Sequence, residues 1–135
     1  MISTKGRYAL RVMLYLAQKN DKEYIPLKEI AENEGISKKY LEIIVKDLVK
    51  GGLVKGSSGK GGGYRLCRTA EEYSVGEILN LTEGSLALVA CLSDGAAGCE
   101  RAAACKTLPM WSELDKIIHD YFYSKKLSDL LGDTK

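Results

Sequence analysis

Four cysteines, a single histidine and a run of lysines are the side chains with the most chemistry to offer in this chain of 135 residues. Cys91, Cys99 and Cys105 are spaced C-x7-C-x5-C in a stretch otherwise rich in Gly and Ala. Short side chains let such a loop wrap around a metal centre and bring thiolates to it. The intervals are longer than those of a zinc knuckle, where two ligands sit about two to four residues apart. Three thiolates leave one position of a four-ligand iron–sulfur cluster open. Zinc binding or a thiol switch without a cluster are the other chemistries such a trio allows. Cys67 stands apart, in a stretch that reads as a strand, and is expected to be a small, partly buried apolar residue. His119, the one histidine, gives no spare parts for a Ser–His–Asp triad, and no Gly-rich phosphate loop ending in Lys-Ser/Thr is present. Enzyme chemistry is not expected.

The lysines form a second constellation. Between Ile36 and Arg68 there are eight Lys and Arg against two acids. Helical spacing puts Lys39, Glu42 and Lys46 on one side, away from an apolar face of Leu41, Ile44, Val45, Leu48 and Val49. Ser37, Lys38, Lys39 and Tyr40 lie at the start of that helix, where free N–H groups and the helix dipole favour phosphate. Lysine and hydroxyl side chains there position a protein on a DNA backbone, and Glu42 can accept from a cytosine amino group. Further on, Lys55, Ser57, Ser58 and Lys60 sit in a glycine-rich tip with little bulk, suited to lie along a backbone or minor groove. The alternative is an ordinary solvated basic face.

The elements that must position these groups follow from periodicity. Residues 3–18 read as a helix burying Ala9, Val12, Met13 and Leu16, with Leu10, Leu14 and Ala17 broadening that face. Pro26 suits the start of a second helix, with Leu27, Ile30 and Ala31 inward and Gly35 beyond its end. Ser37 is a good cap for the third, and Gly51-Gly52 its stop. Two short helices joined by Glu34-Gly35-Ile36 have the spacing of a helix-turn-helix. Residues 53–54 and 64–67 read as strands around a nine-residue segment with five glycines, a hairpin tip. Ser74-Val75-Gly76-Glu77 matches a capping box and opens another helix ending near Gly84. A loop holds the cysteines, and a long helix runs over residues 108–126. On it Met110, Leu114, Ile117, Ile118 and Tyr121 form a stripe flanked by Trp111 and Phe122, too wide and aromatic for water. It is expected to pack on a partner, the same helix of a second chain. The fold class is therefore mainly α with a small β-hairpin wing: a winged helix-turn-helix over residues 1–83, a cysteine-rich loop over 84–107, and a dimerisation helix with its tail over 108–135.

Composition agrees with this division. The chain is 45% hydrophobic and 28% charged, ordinary for one soluble domain, and its formal net charge is +2. That sum conceals a split. Residues 1–69 carry 14 Lys and Arg against 7 acids, while residues 70–135 carry 6 against 11. A basic half beside an acidic one suggests that one half meets a polyanion. The longest uninterrupted apolar run, residues 86–92, is far short of a membrane span. The first residues have no signal-peptide core, so the expected compartment is the cytoplasm, where disulfides are rare.

Three segments together, Ile2-Ser3-Thr4-Lys5-Gly6-Arg7-Tyr8-Ala9-Leu10, Ile36-Ser37-Lys38-Lys39-Tyr40-Leu41-Glu42 and Gly61-Gly62-Gly63-Tyr64, resemble the Rrf-two superfamily of bacterial transcription regulators. The cysteine loop followed by Trp111 is similar to that of its iron–sulfur cluster regulator branch. The resemblance implies a homodimer paired through the long C-terminal helix and a pseudo-palindromic double-stranded DNA operator. It also implies a 2Fe–2S cluster on Cys91, Cys99 and Cys105 whose state alters DNA binding; the alternatives are a regulator of the same superfamily controlled by a metabolite, a protein partner or a thiol switch, and an iron–sulfur redox protein. Two positions depart from the pattern. The branch carries a histidine three residues after the third cysteine, where this chain has Leu108. Nitric-oxide-sensing relatives instead use a carboxylate from the first helix, and here no acid precedes Asp21. His119 would lie about 16 Å along its helix from the loop, at 1.5 Å per residue, and is expected to be exposed. Glu100 is the candidate for the fourth position, with solvent or a small thiol as the alternatives. In the wing, Ser58 stands where relatives often have arginine, and Lys60 is expected to take over its phosphate contact.

Overall fold

The computed structural model describes residues 1–19, 23–89, 92 and 104–132. Helix α1 spans Thr4–Gln18 and is capped by the Ser3 hydroxyl, which accepts the Gly6 N–H at 3.1 Å. Its expected face of Ala9, Val12, Met13 and Leu16 is buried. Helix α2, Leu27–Glu34, starts after Pro26 and stops at Gly35, whose φ of 66° is left-handed and favours glycine. Helix α3, Lys38–Lys50, begins where the Ser37 hydroxyl accepts the Tyr40 N–H at 3.2 Å. Leu41, Ile44, Val45 and Leu48 pack with Ile30 of α2 and the α1 face into one core. Val49 departs from expectation and is 41% exposed. At 100° per residue it lies well around the helix from Leu48, outside the buried arc.

The wing is an antiparallel pair, β1 Val54–Ser57 and β2 Gly63–Leu66, in register from Val54 opposite Leu66 to Ser57 opposite Gly63. Pairing reaches further into the glycine run than hydrophobicity indicates. A rung outside the hairpin explains its position: Ile25 N–H donates to Tyr64 O at 2.8 Å, and Tyr64 N–H returns to Ile25 O at 2.9 Å. Only glycine fits at position 63, because its φ is 143° and a Cβ would lie 2.2 Å from the Ile25 carbonyl oxygen. Leu66 ends the strand pointing inward, so Cys67 beyond it points out. Cys67 is exposed rather than partly buried.

A 3-10 turn, Ala70–Glu72, leads into α4, Val75–Glu83. Only half of the expected capping box forms at α4. The Ser74 hydroxyl accepts the Glu77 N–H at 3.0 Å, but the Glu77 carboxylate turns to Arg68 at 2.9 Å. The long helix, α5, is Leu108–Ser124, two residues shorter than expected. Its continuation is pulled into a backbone bridge, with Val75 N–H donating to Lys125 O at 2.8 Å and Leu127 N–H to Tyr73 O at 2.9 Å. A short α6, Leu127–Leu131, follows and buries Leu127 completely. Helix α5 packs on α4 where the Tyr123 ring covers Gly76, leaving no room for a Cβ. The result is a winged helix-turn-helix with a long C-terminal helix fastened to its side.

Candidate nucleic-acid interface

Helix α3 carries two opposite stripes. The first is the buried one. The second, Lys39, Glu42, Ile43, Lys46 and Lys50, is exposed along its length. One edge of the stripe, Glu42, Lys46 and Lys50, borders with Val49 a groove of about 790 Å³ whose other wall is Ser57, Ser58 and Tyr64 of the wing. Ser37 and Lys38 are exposed at the entry to the helix, and Lys55 and Lys60 are exposed on the hairpin. Tyr40 is half-buried, with its ring edge-on to Tyr8 at 5.9 Å, so it braces α1 as well as bordering this face. Thus α3 and the hairpin bring Glu42, Lys46, Ser57 and Ser58 together around one groove, whereas Lys55 lies with Arg65 and Arg68 on the other face of the hairpin.

Charge pairing separates two kinds of basic residue. Lys5 pairs with Asp47, Arg11 with Glu34, Lys19 with Glu29 and Arg68 with Glu77. Arg65 lies over the Tyr24 ring at 4.7 Å. Arg68 also donates to Glu72 O at 2.9 Å, and the Glu77 hydrogen bond holds its guanidinium above the ordinary range. Two of the eight basic residues between Ile36 and Arg68 are thereby built into the protein. Among the described residues, Lys38, Lys39, Lys46, Lys50, Lys55 and Lys60 have no ion-pair partner. Exposed ammonium groups without a carboxylate partner attract polyanions such as a phosphate backbone. Lys50, Ile43, Val49 and Tyr64 were not among the sequence candidates. The first two repeat the Lys39–Lys46 spacing, which is the signal that could have found them.

Of the cysteine constellation, Cys91, Cys99 and Glu100 lie outside the described residues. Cys105 sits just before α5, partly exposed, with its Sγ 3.3 Å from the Thr107 hydroxyl. Hydrogen bonds from the Thr107 side chain and from the Thr107 and Leu108 N–H groups hold its thiol below the usual range. A stabilised thiolate is the form that binds metal or attacks a disulfide. Leu108 is the first residue of α5 and offers no ligand. His119 is about three turns further along, exposed and stacked on Tyr123 at 4.4 Å, so it does not meet Cys105. Among the described residues no group of three metal-ligating side chains gathers.

The proposed partner face of α5 is distributed unevenly. Met110, Leu114, Ile117 and Tyr121 are exposed, while Trp111, Ile118 and Phe122 are half-buried. Among the described residues no helix is long and apolar enough to cross a membrane.

The family model described as an iron-dependent transcriptional regulator, Rrf2, matches residues 2–133. The chain belongs to the Rrf2 family. It is 35% identical over 134 residues to the HTH-type transcriptional regulator IscR of Vibrio vulnificus, covering 99% of this chain and 79% of that one. Among solved structures it resembles CymR (YrzC), the global cysteine regulator of B. subtilis, with a TM-score of 0.81 and 35% identity over 100% of this chain and 98% of that one. It also resembles T. potens IscR, with a TM-score of 0.79 and 35% identity over 100% of this chain and 88% of that one. The chain is accordingly a DNA-binding transcriptional regulator of the winged-helix type, not an enzyme.

Proposed function

We propose that this Rrf2-family chain works in the cytoplasm as a homodimer on a pseudo-palindromic operator, under the control of a 2Fe–2S cluster on Cys91, Cys99 and Cys105. The carrying observation is the set of exposed lysines on α3 and the wing that have no ion-pair partner among the described residues. Ser37, Lys38, Lys39, Lys55 and Lys60 hold phosphates, and Glu42 and Lys46 address base edges. The exposed stripe of α5 supports pairing of two chains, which sets two recognition helices at a fixed separation. Cys105, with its thiolate-favouring surroundings, fits a cluster ligand, and Glu100 is the candidate for the fourth. When bound, the cluster supplies a redox-active iron centre anchored by thiolates.

The chain's own residues supply the route from sensor to DNA. Cys105 directly precedes α5, so fixing it fixes the start of that helix. The far end of α5 is tied to the Tyr73 carbonyl and the Val75 N–H. The Tyr73 hydroxyl in turn donates to Leu53 O at 2.6 Å and accepts the Cys67 and Arg68 N–H groups at 2.8 and 3.0 Å. Tyr73 thus links the segment just past α5, through its carbonyl to Leu127, with both roots of the wing, through its hydroxyl.

Anaerobic purification tests the sensor. A brown protein with visible charge-transfer absorption is expected, lost in Cys91→Ala and Cys105→Ala, with Mössbauer spectra giving the cluster type. A gel shift should weaken steeply with salt and differ between loaded and stripped protein. A colourless product after anaerobic reconstitution, with Cys91→Ala behaving as wild type, would sink the cluster. In that case the depressed, partly exposed Cys105 thiol supports a second reading, a thiol switch without metal. The likeness in fold to CymR, a global cysteine regulator, favours the same alternative.

A further inference from the structure

Ile43 breaks the chemistry of the surface it occupies. It lies on the opposite side of α3 from the fully buried Leu48, at the centre of the outward stripe, one helical turn beyond Lys39 and one before Lys46. Its side chain is 49% exposed, although the residues around it on that face are charged. An isolated exposed isoleucine is ordinary on a protein surface. The setting makes this one informative. Lys39 and Lys46, unpaired within the protein, draw a polyanion onto the stripe, and Glu42 stands beside it to take a base-edge donor. A duplex that spans Lys39 and Lys46 passes over Ile43, which lies between them along the helix.

We propose that Ile43 is a specificity-determining residue that packs on the 5-methyl group of a thymine in the major groove. The inference rests on the proposed reading of α3 as the helix that enters DNA. In that groove the thymine methyl is the one apolar group that a base pair presents. Isoleucine can neither donate nor accept a hydrogen bond. Laid over a cytosine amino group or the N7 and O6 of guanine, it would strip water from polar atoms and return nothing. Over a thymine it buries a methyl against a methyl. The operator half-site should therefore place a thymine near the cytosine addressed by Glu42. Val49, the other exposed apolar residue on this side, is nearly two turns further from the helix start and faces the wing groove instead.

The full chain is used to select duplexes from a random library, and the selected duplex is resynthesised with deoxyuridine in place of each recurrent thymine. Deoxyuridine keeps the Watson–Crick edge and removes only the methyl. One position per half-site should weaken wild-type binding about four-fold, the size of one methyl-sized apolar contact. Ile43→Ala should bind more weakly than wild type and be indifferent to that swap, while Ile43→Val keeps part of the discrimination. Because Ile43 is half-exposed, the thermal melts of both variants should match wild type. Equal affinity of the wild type for thymine and deoxyuridine duplexes overturns the inference, as does an Ile43→Ala protein that still loses four-fold on the swap. The latter result would assign the thymine methyl to another side chain of the reading face. Failure to select any duplex, with binding flat in salt, overturns instead the reading of α3 on which the inference rests.

Discussion

Tyr73 was not singled out by any motif, yet its ring is fully buried and its hydroxyl makes three hydrogen bonds to backbone groups of Leu53, Cys67 and Arg68. Burial holds the phenol above its ordinary range, so it remains an O–H donor to Leu53 at physiological pH. Tyr73→Phe keeps the ring, and with it the Arg68 guanidinium stacked at 4.2 Å, while removing the oxygen. The Arg68 N–H then loses its partner, and the Leu53 carbonyl and Cys67 N–H keep only their long mutual bond of 3.4 Å, which should cost about 2 kcal/mol in urea unfolding. An unchanged unfolding midpoint would show that water replaces the hydroxyl and that Tyr73 does not anchor the wing. A contrast between two lysines belongs to the same scale. Lys39→Ala should lower the slope of log affinity against log salt by about one, because one phosphate contact disappears. Lys5→Ala, which breaks the partly exposed pair with Asp47, should leave that slope alone and cost under about 1 kcal/mol of stability. Equal slopes for the two variants would refute the division between unpaired and structural lysines.

At the scale of elements, what could be read in advance depended on how local the determining interactions are. The buried faces of α1, α2 and α3 repeat at helical period, and the serine caps of α1 and α3, with Pro26 and Gly35 at the two ends of α2, lie beside the segments they bound, so these helices were legible. The wing's existence was legible from its glycines, but its register was not, because the Ile25–Tyr64 rung comes from a residue far earlier in the chain. The end of α5 was hidden for the same reason. No proline or glycine stops it at Ser124; the bridge to residues 73–75 does. In the site, the lysine face was visible as a charge excess. Arg65 and Arg68 inflated that excess, because Tyr24 and Glu77 become their partners only once the chain folds. The α4–α5 junction yields a prediction of its own. In Gly76→Ala the new methyl would lie 2.3 Å from the Tyr123 ring, against the body of the ring rather than a free end. Alanine's helix propensity favours α4 by about 1 kcal/mol, but displacing the ring should cost more, giving a net loss of about 1 kcal/mol in thermal or urea unfolding. A more stable Gly76→Ala protein would mean that the two helices separate at no cost.

For the whole molecule, the question is what covers α5. One of its sides leans on α4 through Tyr123, and the chain has nothing further among its described residues to lay over the other. Met110, Leu114, Ile117 and Tyr121 recur at i, i+4, i+7 and i+11, a straight exposed stripe on a helix of 17 residues. A self-complementary apolar stripe is satisfied by a second copy across a two-fold axis, where each residue meets the same surface on the partner. The charge split fits that arrangement: such a pair would turn its basic halves toward DNA and keep the acidic halves that carry α5 off the duplex. Ile117 is 57% exposed in the single chain, so Ile117→Glu should leave the fold and its helical circular dichroism intact. In the pair it would place two carboxylates beside the axis in an apolar contact, a desolvation and repulsion that a weak interface does not survive. Analytical ultracentrifugation should find wild type dimeric and Ile117→Glu monomeric at the same concentration. Affinity for a two-half-site duplex should fall by at least about ten-fold, because each half-site must then be bound without the other. A half-site duplex should bind both proteins alike. A monomeric wild type, or a variant that stays dimeric and keeps its operator affinity, would place the dimer contact elsewhere and leave the apolar face of α5 to another partner.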